Sequence, residues 1–237
     1  MRLDKYIAKS LGITRSEAVV LIKRKQIRVN DRVVVQKDYD VEANIDCITY
    51  NNQELHYLDR IYIMMNKPAG YVSANKDQLH PTVFDLIDGF PKQDLFIVGR
   101  LDIDVTGLLL ITNDGALSHQ YTNPKHHVVK QYVATLSHEL TPDQIKEFEA
   151  GIVIKDGFGE PFQTKQASLQ LDEENPTIAY VEISEGKYHQ VKRMFAYFGV
   201  SVLALKRLRI NKLSLDKQLA QGEYRLLTEE EIELLRQ

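Results

Sequence analysis

Two carboxylates, Asp102 and Asp104, stand two residues apart in the stretch GRLDIDVTGLLLITNDG, residues 99–115. An arginine precedes them and an aliphatic run, residues 108–111, follows. Three chemistries suit such a pair. In extended chain, residues i and i+2 point the same way, so the two could hold Mg²⁺. That site asks for further oxygen ligands and often a phosphate, and none is marked nearby. The two could be the acid and base of a glycosidase, which spacing in sequence does not determine. Or one is a nucleophile or base and the other a solvated loop residue. The residues alone leave these open, beside a plain structural role for both.

Other reactive side chains are few. The one cysteine, Cys47, excludes an internal disulfide framework and a cysteine-based zinc site, and it fits a reducing compartment. His126 and His127 are adjacent and lack ligand spacing, so they are read as surface or RNA-facing residues, and no metal site is expected. No apolar run is long enough to cross a bilayer, and the first twelve residues lack a signal-peptide core. The expectation is a cytoplasmic protein with no membrane attachment. The 43% apolar and 27% charged composition is that of an ordinary globular chain.

The net charge of −3 hides a segregated distribution. Residues 1–37 carry ten basic residues, among them Arg2, Lys5, Arg15, Lys23, Arg24 and Arg28, against three acids, Asp4, Glu17 and Asp31. Residues 187–212 hold Lys187, Lys192, Arg193, Lys206, Arg207, Arg209 and Lys212 and no acid. Two basic stretches on a mildly acidic chain predict a focused polyanion footprint.

The elements that must position these groups are legible in outline. Leu3, Tyr6, Ile7 and Leu11 form one helical stripe closed by Gly12. Thr14 with Glu17 opens a second helix as a capping box, and that helix packs through Ala18, Leu21 and Ile22. IRVNDRVVV predicts two strands about a turn at Asn30-Asp31, with a further strand near DCITYN. Residues 51–60 are polar and predict a linker. Beyond it, IYIMMN, GLLLITND, VKQYVATL, TIAYVEISE and VLALKRLRINKL predict strands, DLFIVGRLD predicts a strand running into a loop, and residues 67–70 predict a turn. VFDLI, GALSHQYT, TPDQIKEFEAGI, KYHQVKRMFAYFG and TEEEIELLRQ predict helices, the last capped by Thr228. Strands and helices mix without a βαβ repeat, which favours an α+β fold over a doubly wound one.

The stretch from Gly99 resembles the central motif of the pseudouridine synthases of the small-subunit-rRNA type: Gly99, Arg100, Leu101 and Asp102, then Thr106, Gly107, the aliphatic run and Asp114-Gly115. In that family the catalytic aspartate directly follows Arg-Leu, so the resemblance assigns catalysis to Asp102 and leaves Asp104 an ordinary loop residue. KQYVATL resembles the family's Lys-x-Tyr motif, which implies Tyr132 as the active-site tyrosine and Lys130 as its lysine. ISEGKYHQVKRMFAYFG resembles the third motif, which implies Lys192 as the basic partner of the aspartate, Arg193 as the second candidate, and Val191 as an apolar wall. Arg100 is then placed to fill the space the target base vacates or to hold a phosphate. MNKPAGYV resembles the start of the catalytic domain. Residues 2–31 resemble an S4 RNA-binding module, departing from it at Lys25 and Asp31, where glycine is common.

The resemblance implies two domains. An S4-like module over residues 1–58 has two helices and a small sheet. A synthase domain over residues 59–237 has a mixed, mainly antiparallel sheet flanked by helices. It implies isomerisation of one uridine in 16S rRNA, within a partly assembled small subunit, by a monomer without a cofactor. The reaction adds no group and transfers no electrons, which agrees with the lack of a dinucleotide or methyl-donor glycine loop. The rivals are a large-subunit-rRNA synthase of the same superfamily, a non-catalytic ribosome-assembly factor, and a metal-dependent nuclease using Asp102 and Asp104.

Overall fold

The computed structural model describes residues 1–236 other than 44, 56 and 58. The chain divides into two compact units, Met1–Ile61 with Ile87–Leu95, and Tyr62–Leu86 with Phe96–Gln237. A boundary at residue 58, and Gln237 of the last predicted helix, lie outside the described residues.

In the first unit, α1 (Leu3–Leu11) buries Leu3, Tyr6 and Ile7 and ends at Gly12, whose φ of +65° is the left-handed cap that glycine adopts freely. The next helix, α2 (Arg15–Lys23), opens with the expected Thr14–Glu17 capping box and packs through Ala18 and Ile22. The strands β1 (Ile27–Val29), β2 (Arg32–Val33), β3 (Ile48–Tyr50) and β4 (Gln53–Glu54) form one sheet in the order β2-β1-β3-β4. Asn30 and Asp31 both have positive φ, as a two-residue hairpin requires. Lys25 and Asp31 sit at φ +62°, so the positions where the family favours glycine do demand left-handed backbone, here taken by side-chain-bearing residues.

The 51–60 stretch is not a linker in its first half. Asn51 and Asn52 form a second left-handed hairpin turn, and Gln53–Glu54 pairs back on β3. Leu55 is buried, and its carbonyl accepts the Tyr6 hydroxyl at 2.7 Å. The Tyr57 ring packs 5.5 Å from that of Tyr6. Polar composition hid a tight turn, because asparagine tolerates the conformation the turn needs. The returning segment Ile87–Leu95 joins this unit through Asp94, which lies 2.5 Å from the Lys9 ammonium.

The second unit is built on one large sheet. Its strands are β5 (Tyr62–Lys67), β6 (Phe96–Val98), β7 (Thr106–Thr112), β8 (Lys130–Leu136), β9 (Val153–Lys155), β10 (Pro161–Gln163), β11 (Ser168–Leu171), β12 (Ile178–Ile183), β13 (Val202–Ile210), β14 (Leu213–Ser214) and β15 (Tyr224–Leu226). Nine of them make the sheet, in the order β11-β12-β8-β13-β7-β5-β15 with β14 on β13 and β6 on β7, while β9 and β10 form a separate hairpin. The β7–β13 pair is parallel and the other pairings are antiparallel, so the sheet is mixed and mainly antiparallel as expected. Its helices are α3 (Gly115–Thr122), α4 (Pro142–Ala150), α5 (Gln190–Tyr197) and α6 (Glu229–Arg236), and VFDLI is a short 3-10 turn over Val83–Leu86. Both faces are covered. Leu117 and Tyr121 of α3 and Ile232 and Leu235 of α6 pack with Met64, Leu108 and Leu110. Phe148 of α4 meets Phe195 of α5 at 5.1 Å. Burial on both sides is why β5 and β7 read as nearly continuous apolar runs.

Candidate active site

The 99–105 loop joins β6 to β7, at the start of the parallel β7–β13 contact. It carries the two carboxylates on a turn closed by Val105 N–H donating to Asp102 O at 3.1 Å. They converge because the chain turns there, not through the alternation of a strand. Three buried polar side chains hold this loop by its carbonyls. Arg207 donates to Gly99 O and to Leu108 O, both at 2.8 Å. Ser73 donates to Leu101 O at 2.8 Å and accepts the Leu101 N–H at 3.1 Å. Lys67 donates to Ile103 O at 3.3 Å, Val105 O at 2.8 Å and Pro68 O at 3.0 Å. Buried donors without carboxylate contacts are tolerable only because each meets a carbonyl.

Burial pulls the Lys67 ammonium down to about 8, against the opposing pull of Asp104 and Asp102. The native amine therefore sheds its proton at lower pH than the unfolded one. Between pH 8 and about 10.4 the unfolded chain binds more protons, and the stability Lys67 contributes rises with pH through that window. Removing the three bonds leaves buried carbonyls unmatched, at about 1–3 kcal/mol each. The expected result is that Lys67→Met lowers the unfolding free energy at pH 7, and that the gap to wild type widens on going to pH 10. Chemical denaturation at both pH values measures this, and a gap that narrows would contradict it.

Lys192 in the first turn of α5 brings the site together. Its Nζ lies 2.7 and 2.8 Å from the Asp104 carboxylate oxygens and 3.6 Å from Asp102 Oδ2. Asp104 is therefore a partner of the lysine rather than a bystander. Partial burial works to raise its carboxyl, but the bond and charge of Lys192 outweigh this and hold it below the ordinary carboxylate range. His189, which precedes α5, has a φ of +51° and stacks its ring 3.8 Å from Tyr188. This unusual backbone sets His189 Nε2 at 3.5 Å from Asp102 Oδ2. Buried Gln190 ties the same turn, donating to Glu185 at 2.7 Å and accepting the Lys187 N–H at 3.0 Å.

A cleft of about 430 Å³, partly open to solvent, is lined by Asp102, Arg100, Lys192, Val191 and Tyr132 among others. Tyr132 comes from the middle of β8, paired with Val181 on one side and Arg207 on the other. Val191, Val105, Leu205 and Ile183 make an apolar wall. Asp102 is left with 30% of its side chain exposed, beside Lys192 at 23%.

Two sequence-predicted residues stand outside the cleft. Lys130 turns its ammonium back to Val128 O at 2.7 Å, and burial with the Arg207 charge lowers it to about 8. Arg193, one residue round the helix from Lys192, donates to Lys155 O at 2.7 Å and lies 5.0 Å from the Tyr188 ring. The second basic stretch is likewise not one surface. Arg207 is buried and Arg209 pairs with Glu182, because a register shift in β13 between the two breaks the alternation that would put them on one face. Of the S4-like basic residues, Arg2, Lys5, Arg15, Lys23, Arg24 and Arg28 are all exposed. Arg2 and Arg15 also grip the buried Asp4, at 3.0 and 2.9 Å. Their guanidiniums thus hold the module together as well as facing solvent. Sequence reasoning missed Lys67, Ser73, His189 and Arg207. A lysine ending an otherwise apolar strand was the one available hint.

The family described as RNA pseudouridylate synthase matches residues 61–197, and the S4 domain matches residues 1–44. The chain belongs to the RNA pseudouridylate synthase family. It is an isomerase with an S4 module in its first unit. It is 43% identical over 233 residues to ribosomal small subunit pseudouridine synthase A of Vibrio cholerae serotype O1, covering 98% of each chain. It is 42% identical over 232 residues to the protein of the same name from Escherichia coli K12, again covering 98% of each. A crystal structure of a pseudouridylate synthase, 39% identical, superposes with a TM-score of 0.69 over 99% of each chain. Among the described residues of the synthase, no three or more His, Cys, Asp or Glu are grouped so that they could hold a metal ion, and the carboxylate pair has an ammonium between its members.

Proposed function

We propose that this synthase converts one uridine of small-subunit (16S) ribosomal RNA to pseudouridine, within a partly assembled subunit, as a monomer in the bacterial cytoplasm. The observation that carries this reading is Asp102: a partly buried carboxylate, 3.6 Å from Lys192 and 3.5 Å from His189, facing a cleft walled by Tyr132 and Val191. The small-subunit substrate is supported by the names of the relatives that match nearly end to end.

The target base leaves its stack to reach the cleft. Tyr132 offers a flat ring to the uracil and a hydroxyl for proton transfer at C5. Val191 and its apolar neighbours exclude water, and Arg100, exposed at the mouth, meets a phosphate or the vacated space. The N1–C1′ bond breaks, the uracil turns, and C5 bonds to C1′ as the C5 proton leaves and N1 gains one. Atoms and electrons balance within the nucleotide, so no donor is consumed. Asp102 can enter by attacking the sugar, attacking the base or removing a sugar proton, and each route needs it ionised. Lys192 Nζ and His189 Nε2 stand 3.6 and 3.5 Å from its Oδ2. The exposed cations of the S4 module add backbone affinity that weakens with salt.

Mapping pseudouridines in ribosomal RNA from cells lacking the protein tests the substrate. The expected result is loss of one pseudouridine from small-subunit RNA, restored by the wild-type gene and not by Asp102→Asn. Loss from large-subunit RNA instead overturns the substrate, and no loss from either leaves an RNA-binding assembly factor.

A further inference from the structure

We propose that the β9–β10 hairpin and the turn before α5 form a stacking platform for the unpaired nucleotides that adjoin the target uridine. The inference rests on the reading that a uridine of an RNA chain occupies the cleft. Lys187 and His189 line that cleft, and both also belong to the surface outside it. The His189 ring stacks on Tyr188, which is 55% exposed. The Arg193 guanidinium lies 5.0 Å from the centre of the Tyr188 ring, and the Lys187 ammonium 4.8 Å from that of Phe162 on β10. Three aromatic rings and two cations thus adjoin one another on the surface at His189, which reaches Asp102.

The hairpin is docked against this turn. Arg193 donates to Lys155 O at the end of β9, and a Cβ added at Gly157 would stand 3.3 Å from the Tyr188 Cβ. Its tip is ordered by its own bonds. Asp156 Oδ1 accepts the N–H groups of Phe158 at 2.8 Å and Glu160 at 3.1 Å. The Asp156 N–H in turn donates to Glu160 O at 2.7 Å. That turn presents Phe158 outward with 94% of its surface exposed. A large apolar ring held in water by a bonded turn, beside two ring–cation pairs, needs a flat apolar partner that carries negative charge.

Single-stranded nucleotides have both properties. Each base offers a π-face to rings such as Phe158 and Tyr188, and each phosphate suits Lys155, Lys187 and Arg193. Continuity decides between nucleotides and a protein partner: a uridine in the cleft stays covalently joined to neighbours on both sides, and they must lie on the surface bordering it. The acids at the tip, Asp156 and Glu160, limit the charge there, so stacking carries more of the contact than phosphate attraction.

The test uses the full chain with small-subunit RNA. Phe158→Ala touches no core and leaves the melting temperature in place. It is expected to weaken RNA binding and raise KM about tenfold, with the loss falling on these rather than on kcat, and Phe158→Trp restores both. A photoreactive benzoylphenylalanine at position 158 is expected to crosslink within about three nucleotides of the uridine that is converted. Wild-type Kd and KM in Phe158→Ala overturn the platform. So does a crosslink elsewhere in the RNA, or to a ribosomal protein when assembly particles are used. Failure of the enzyme reading looks different: the wild type itself then releases no tritium from uridine-labelled RNA or particles.

Discussion

Asp102→Asn is expected to abolish tritium release from [5-³H]uridine-labelled small-subunit RNA, by about 10⁴-fold or more, while RNA binding and the melting temperature stay near wild type. The amide matches the carboxylate in shape but can neither attack carbon nor take a proton. It strands no charge, because Lys192 keeps Asp104 at 2.7 Å. Release reports the reaction because the C5 hydrogen is displaced when C5 bonds to the sugar. Asp104→Asn is expected to cost about tenfold at most, since Asp104 acts through Lys192, which still has Asp102 at 3.6 Å. Both assays are run with EDTA present. Full release by Asp102→Asn, or loss of release from the wild type on adding EDTA, would falsify the assignment of a metal-independent aspartate.

The second large effect concerns stability. Gly107→Ala is expected to lower the unfolding free energy by about 3–5 kcal/mol and the melting temperature by about 10 °C or more. Gly107 has a φ of +100°, where a side chain is strained. It also lies where β7 meets β13 in parallel, with Arg207 opposite it in register. An added Cβ would stand 2.8 Å from Arg207 N and 2.9 Å from Lys206 Cγ, and closer still to Arg207 O. Relief requires moving the β13 backbone, and Arg207 is the residue that holds Gly99 O and Leu108 O. The site should therefore loosen with the sheet, and kcat should fall together with stability. Gly159→Ala is the control. Its φ is +90°, but nothing lies within 4 Å of the added carbon, so only backbone strain of about 1 kcal/mol applies. Equal melting shifts for the two variants would show that the β7–β13 approach is not what makes Gly107 indispensable.

What the sequence determined by itself was local. The stripe of α1 with Gly12, the Thr14–Glu17 box and the alternation of the strand that follows them come from side-chain periodicity and from what a helix end must bond, and the structure reproduces them. The motif about Gly99 pointed to Asp102 because its spelling is specific, and the chain does belong to the family it resembles. What the tertiary structure decided was partnership. Asp104 meets a lysine 88 residues away, and Arg207 meets Gly99 across 108. Whether a charged side chain faces solvent or is buried against carbonyls depends on which strands become neighbours, and no local pattern encodes that. The same ignorance made Lys67 look like a turn residue and Asn51-Asn52 like the start of a linker. A charge or a polar pair is read from sequence at its usual exposure. Only the packing around it shows where burial has been offset by a bond.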